Sequence, residues 1–224
     1  MKYEGGEQRE QLIGKFENSF KMSNVDEGLM VDGRFNYVRK NDYEGYNSTL
    51  ASIPDDASGL DDILADLKTS FKTNKTRDID FRIQQLRNLQ QGLEDMKDEL
   101  SAAVEKDLGR GAFYAQLAEV HGTKVEIQHT IDNLKNWAKE VVVDTPVMVG
   151  PGKSYIKPEP LGVVCVMAAW NFPYVTLLGP VAQVISAGNC CLIKPSELSP
   201  NCSIAAAKLC EKYLDQSFYK VIQG

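Results

Sequence analysis

The stretch WNFP, residues 170–173, sets an asparagine between two large aromatics directly after a charge-free apolar run, LGVVCVM (161–167). Such a run reads as a parallel strand covered on both faces, and open α/β sheets hold their ligands beyond the carboxyl ends of such strands. The Asn171 carboxamide offers two N–H donors and no charge. Fixed at a strand end, it can point at an oxygen that becomes negative during a reaction. One preorganised donor of that kind is worth about 3–4 kcal/mol where water is excluded. Phe172 and Pro173 stiffen the turn, and Trp170 walls it. A second apolar run, CCLIKP (190–195), leads into KPSE (194–197). Lys194 is a flexible cation with three donors, and Glu197 follows across a turn, so ammonium and carboxylate can both reach the vicinal hydroxyls of a ribose. A carboxylate there repels a 2′-phosphate, which favours NAD and leaves NADP possible. No G-x-G-x-x-G is present, so a dinucleotide is not held by the usual Rossmann turn. Taken singly, these residues have plainer readings. An asparagine after a strand is often a turn residue, and an exposed Lys–Glu pair contributes little energy.

The elements that must position these groups follow from periodicity. Leu60, Ile63, Leu64, Leu67 and Phe71 fall on one stripe of an amphipathic helix. KTNKTRD (72–78) breaks it, and a longer helix follows with Leu86, Leu89, Leu93, Met96, Leu100 and Val104 on one face and Gly109 as its stop. A third helix carries Leu117, Val120, Val125, Ile131, Leu134 and Trp137. Residues 141–160 are β-rich around Gly150-Pro151-Gly152 and read as an edge or protruding hairpin. Beyond them LGVVCVM is a strand, VTLLGPVAQVISAGN (175–189) a helix ending at Gly188-Asn189, and CCLIKP a buried strand. A further helix is capped by Ser199, with Pro200 at its first position, and YKVIQG (219–224) is a third strand. The β-α-β-α-β order predicts an α/β fold in which N-terminal helices precede the first half of a doubly wound parallel, Rossmann-like sheet.

Composition narrows the function classes. The chain has 224 residues, 43% of them hydrophobic and 25% charged, which suits a soluble globular protein. The formal net charge of −6 argues against a nucleic-acid partner, which would want a basic stripe. Five Cys at 165, 190, 191, 202 and 210, without metal-type spacing, read as reduced cytoplasmic thiols, with Cys165, Cys190 and Cys191 on core strands. His121 and His129 have no cysteine or carboxylate cluster beside them, so no metal site is expected. Residues 1–57 form a polar extension with seven Lys and Arg against eleven Asp and Glu, turn signals at VDGRF and SIPDD, and scattered aromatics. It is too polar to build a core, and its spaced Phe and Tyr are the side chains a partner's pockets would select. The expected division is therefore an extension over 1–57, an anchoring segment for a protein partner, and a globular part over 58–224.

Three stretches carry a resemblance: RDIDFRIQQLRNLQQGL (77–93), residues 157–200 from KPEPLGVVCVMAAWNFP through KPSELSP, and LDQSFYKVIQG (214–224). They resemble the N-terminal part of an aldehyde dehydrogenase, above all the class 3 branch that includes fatty aldehyde dehydrogenases. The resemblance runs over about 59–224, and WNFP and KPSE at this separation are highly specific. It implies oxidation of an aldehyde to a carboxylic acid through a Cys thiohemiacetal, with NAD or NADP as cofactor. Asn171 would donate to the oxyanion, Ala169 and Trp170 would line the nicotinamide end, and Lys194, Ser196 and Glu197 would bind the adenosine ribose. Residues 141–158 would be an oligomerisation arm joining a homodimer. The family's Cys nucleophile, Glu base and glycine-rich cofactor turn lie further along than residue 224, and none of the five Cys matches the nucleophile. The first expectation is the N-terminal portion of such a cytoplasmic enzyme. The alternative is a non-catalytic relative, a structural component of a cytoskeletal or other large assembly anchored through 1–57.

Overall fold

Helix formation begins where the apolar stripe begins. The computed structural model describes residues 29–31, 34–36 and 59–223, which fall in two units, Met1–Ser48 and Thr49–Gly224. In the first, strands β1 (Leu29–Val31) and β2 (Arg34–Asn36) pair antiparallel with Met30 opposite Phe35. They flank the Asp-Gly of the VDGRF turn signal, a dipeptide suited to tight hairpins. The expected anchoring role of 1–57, and the aromatics assigned to it, otherwise lie outside the described residues.

In the second unit, α1 (Leu60–Lys72) buries Leu67 completely and half-buries the rest of its predicted stripe. The long helix expected next is two helices, α2 (Ile79–Asp95) and α3 (Lys97–Leu108). Met96 interrupts the helical dihedrals at φ −105°, yet Leu86, Leu89, Leu93, Leu100 and Val104 are all fully buried, so the stripe was read correctly across the break. Asp78 caps α2 by accepting the Asp80 N–H at 2.9 Å, and Gly109 ends α3 in the left-handed conformation at φ 65°. Next come a helical turn at Ala112–Tyr114, a π-helical turn at Ala115–His121 and α4 (Gly122–Trp137).

The stripe expected for this third helix is corrected. Leu117, Val125 and Trp137 are each about half exposed, at 55%, 55% and 47%. Val120 and Leu134 are buried as expected, and one buried face runs through five residues, Glu119, Thr123, Ile127, Thr130 and Leu134. Three of these five are polar and defeat a search for apolar residues. They tolerate burial because each is bonded: Thr123 Oγ1 donates to Glu119 O at 2.6 Å, and Thr130 Oγ1 donates to Glu126 O at 3.0 Å.

Strands β3 (Val141–Val143) and β4 (Ser154–Ile156) form the expected antiparallel hairpin, Val142 opposite Tyr155, with a 3₁₀ turn at Val147–Val149 between them. The parallel sheet follows: β5 (Val163–Met167), α5 (Val175–Ser186), β6 (Cys190–Lys194), α6 (Pro200–Tyr213) and β7 (Tyr219–Val221), in spatial order β5-β6-β7. Both crossovers step the same way across the sheet, and both strand pairs are parallel. α1 packs on β5 and β6, and α2 packs against α4, α5 and α6. This is the α/β fold that the sequence predicts. Central β6 is buried from Cys190 to Ile193. β5 corrects the expectation of a strand covered on both faces: it is an edge strand here, and its alternate residues Cys165 and Met167 are exposed. Among the described residues no helix is long and apolar enough to cross a membrane.

Candidate active site

The two stretches picked out by their chemistry leave the sheet side by side. Met167 is the register partner of Lys194, and the next backbone N–H, of Ala168, donates to Lys194 O at 3.0 Å. The residues after β5 are therefore tied directly to the end of β6. Asn171 lies in the bend between β5 and α5, exposed, and its carboxamide has no hydrogen-bond partner among the described residues. Ala169 is exposed, and Trp170 is 48% exposed. The bend is closed by Thr176, whose Oγ1 donates to Ala169 O at 3.1 Å or to Phe172 O at 2.8 Å.

On the neighbouring strand end, Lys194 Nζ donates to Glu197 Oε2 at 2.8 Å and to Pro195 O at 3.3 Å. That hydrogen bond, ahead of all other causes, holds the Glu197 carboxyl below its usual range. The Lys194 side chain is 24% exposed and that of Glu197 48%, so the pair opens to solvent at one edge. Ser196 is buried, and its Oγ accepts the Leu198 N–H at 3.3 Å, so its hydroxyl shapes the turn.

Both helices that follow these strands have their N-terminal N–H groups filled by carboxylates from the preceding helices. Glu119 Oε2 accepts from Tyr174 N at 3.1 Å and from Val175 N at 3.2 Å, at the start of α5. Asp107 accepts from Asn201 N at 3.3 Å and Cys202 N at 2.8 Å, at the start of α6. Ser199 occupies the N-cap position expected of it, but its side chain makes no capping bond. Its hydroxyl donates back to Ser196 O at 3.4 Å, and Asp107 supplies the acceptor in its place. A helix N-terminus attracts anions through its free N–H groups. With these N–H groups bonded to carboxylates, the Lys194–Glu197 pair is the polar feature left at the end of β6.

Sequence reasoning missed Glu119, Arg110 and Asp107. Glu119 is 0% exposed, and burial pushes its carboxyl up while the two N–H donors and Arg110 pull it back. Arg110 Nη1 reaches Glu119 Oε1 at 3.3 Å, and the guanidinium lies 4.6 Å from the centre of the Phe172 ring. The only sequence signal was a carboxylate at the phase of a buried stripe. Four of the five thiols are buried. Burial pushes Cys190 up to about 11 and Cys210 up to about 12, and raises Cys191 and Cys202 further, so none of these four is a thiolate near neutral pH.

The family described as "Aldehyde dehydrogenase family" matches residues 45–224. A chloroplastic aldehyde dehydrogenase family 3 member I1 of Arabidopsis thaliana is 35% identical over 184 residues, covering 81% of this chain and 34% of that protein. A 4,4'-diaponeurosporen-aldehyde dehydrogenase of Staphylococcus aureus is 38% identical over 159 residues, covering 71% of this chain and 35% of that protein. Among solved structures, the substrate-bound state of Staphylococcus aureus AldH superposes with a TM-score of 0.71 at 36% identity, over 74% of this chain and 36% of that one. The chain spans about a third of the length of the curated relatives it matches. With the family matched over most of its length, and with WNFP and KPSE at adjoining strand ends, this chain belongs to the aldehyde dehydrogenase family.

Proposed function

We propose that this chain supplies the oxyanion donor and the ribose-binding edge of an NAD(P)-dependent aldehyde dehydrogenase that converts an aldehyde to a carboxylic acid. The observation that carries this reading is the exposed Asn171 carboxamide, without a partner among the described residues, in the bend that leaves β5 where the adjoining end of β6 leads into the Lys194–Glu197 pair. When a thiolate adds to an aldehyde carbon, the carbonyl oxygen becomes an alkoxide. A fixed N–H donor aimed at that oxygen stabilises the transition state more than the substrate. Asn171 is neutral, so it does this without drawing a permanent anion into the site. NAD(P), when bound, supplies the hydride acceptor. The chain's own part is to bind and orient it: Lys194 and Glu197 reach the ribose hydroxyls, with the Ser196 turn setting their spacing, and Ala169 and Trp170 form the wall at the nicotinamide end. The thiolate is assigned to a residue other than the four buried cysteines. Five free thiols suit a reducing, cytoplasmic setting.

Titrating the complete protein with each cofactor tests the ribose assignment. Glu197→Gln removes a carboxylate that disfavours a 2′-phosphate and keeps its size. The NADP-to-NAD affinity ratio is expected to rise by about tenfold, the equivalent of about 1.4 kcal/mol. A ratio that stays put removes Glu197 from the 2′ position.

We further infer that the β3–β4 hairpin joins two subunits. Val142 is 77% exposed, Met148 99%, Tyr155 57% and Ile156 62%, an apolar surface that water disfavours. Because Val142 has no packing to lose, Val142→Glu leaves the fold intact and shifts the sedimentation coefficient to that of a monomer. An unchanged coefficient at micromolar concentration places the interface elsewhere.

A further inference from the structure

Asn171 can act as a preorganised donor only if the bend that carries it is held still, and the bend itself is exposed. We propose that Glu119, braced by Arg110, is the positioning residue for Asn171; this rests on Asn171 being the oxyanion donor. The carboxylate takes the backbone N–H groups of Tyr174 at 3.1 Å and Val175 at 3.2 Å, three and four residues beyond Asn171. Its other oxygen receives Arg110 Nη1 at 3.3 Å, and the same guanidinium covers the ring of Phe172, the residue next to Asn171, at 4.6 Å. One ion pair therefore grips the bend twice, through the backbone on its far side and through an aromatic face in its middle. The near side is fixed by the Ala168 N–H to Lys194 O bond at 3.0 Å, and Thr176 closes the loop between them. Asn171 is thus the exposed residue of a bend fastened at both ends.

The origin of the carboxylate fits this role. Glu119 belongs to the π-helical turn at Ala115–His121, a geometry frequent at functional sites. It is fully buried, while its partner Arg110 keeps 27% of its side chain exposed. Charge-assisted hydrogen bonds from two backbone N–H groups and a guanidinium are the strong kind. They fix the position of the bend more tightly than water or a neutral acceptor could.

The test is a double-mutant cycle in the complete protein, reading pre-steady-state NADH formation, cofactor Kd and Tm. Glu119→Ala is expected to slow the chemical step by about 10–100-fold, with cofactor Kd changing far less than the rate, because Lys194 and Glu197 hold the ribose from a different strand end even when the bend that carries Ala169 and Trp170 loosens. Glu119→Gln, which keeps the size and one acceptor, recovers part of the rate. In an Asn171→Ala background, Glu119→Ala costs nothing further in rate, since there is no carboxamide left to aim. Losses that multiply in the double variant overturn the proposal, as does an Glu119→Ala protein with wild-type rate. Should Glu119→Ala fail to fold, Arg110→Met removes the brace at a partly exposed site and carries the same cycle, with an expected loss of about 3–10-fold that again vanishes without Asn171. Wild-type rates in the Asn171→Ala single variant reject the oxyanion reading itself, an outcome distinct from multiplying losses.

Discussion

Asn171→Ala in the complete protein lowers the rate of the chemical step by about 10²–10³, with cofactor Kd unchanged within about twofold. The magnitude follows from the geometry of the bend. The carboxamide has no internal hydrogen bond among the described residues, so its removal leaves no orphaned partner and creates no cavity. The fold therefore loses little, and Tm is expected to stay within about 2 °C, since surface changes seldom exceed 0.5 kcal/mol. What is lost is a donor aimed at a developing negative charge. Loss of rate with Tm preserved separates a donor from a turn residue, which would show the reverse. Asn171→Asp is the sharper companion. It keeps shape and volume but replaces a donor with an anion beside the forming alkoxide, so it must be slower than the alanine variant. An aspartate variant that matches or exceeds the alanine variant removes the electrostatic role.

The site was legible because its residues follow local rules. A charge-free run followed by WNFP, and a second followed by KPSE, define two parallel strands whose carboxyl ends must adjoin once the β-α-β order is recognised; the register of Met167 with Lys194 is what that order demands. The stripe of Leu86, Leu89, Leu93, Leu100 and Val104 was legible for the same reason, since every position is apolar. What stayed hidden is non-local or polar. Glu119 and Asp107 accept helix-start N–H groups 55 and 94 residues later in sequence, and no local pattern announces a cap delivered from another helix. Ser199 satisfied the local capping rule, but the better acceptor came from α3. The α4 face failed because Thr123 and Thr130 are buried by virtue of bonds to backbone oxygens one turn back. Cys165 failed because sequence gives a strand's period and not its place at the edge of a sheet.

Gly188→Ala is expected to lower stability by about 3 kcal/mol, a fall in Tm of about 6–12 °C for a domain of this size. Gly188 sits at φ +80°, where an L side chain is strained by about 1–2 kcal/mol. A methyl there would lie 2.6 Å from Arg82 Nη2, well inside contact distance. Arg82 is buried at 7% exposure and donates to three backbone oxygens, Thr76 O at 2.6 Å, Ser186 O at 3.1 Å and Arg77 O at 2.9 Å. Losing even one charge-assisted bond costs about 1.5–3 kcal/mol. The consequence reaches the site. The residue after Gly188, Asn189, accepts the Gly162 N–H at 2.8 Å through its side chain, and Cys190 N–H donates to Gly162 O at 2.9 Å. These bonds set the register of β5 against β6 at their starts, and the same register sets side by side the two strand ends from which the Asn171 bend and the Lys194–Glu197 turn depart. Gly111→Ala is the control: its φ is −59° and an added methyl meets nothing within 4 Å. Thermal melts of the two variants should differ by most of the predicted shift, with Gly111→Ala close to the parent. In an Arg82→Ala background the Gly188→Ala penalty should shrink to the backbone strain alone, because the crowded guanidinium is gone. Equal melting temperatures for the two glycine variants would mean that neither the close approach of Arg82 nor the left-handed turn constrains this corner of the sheet.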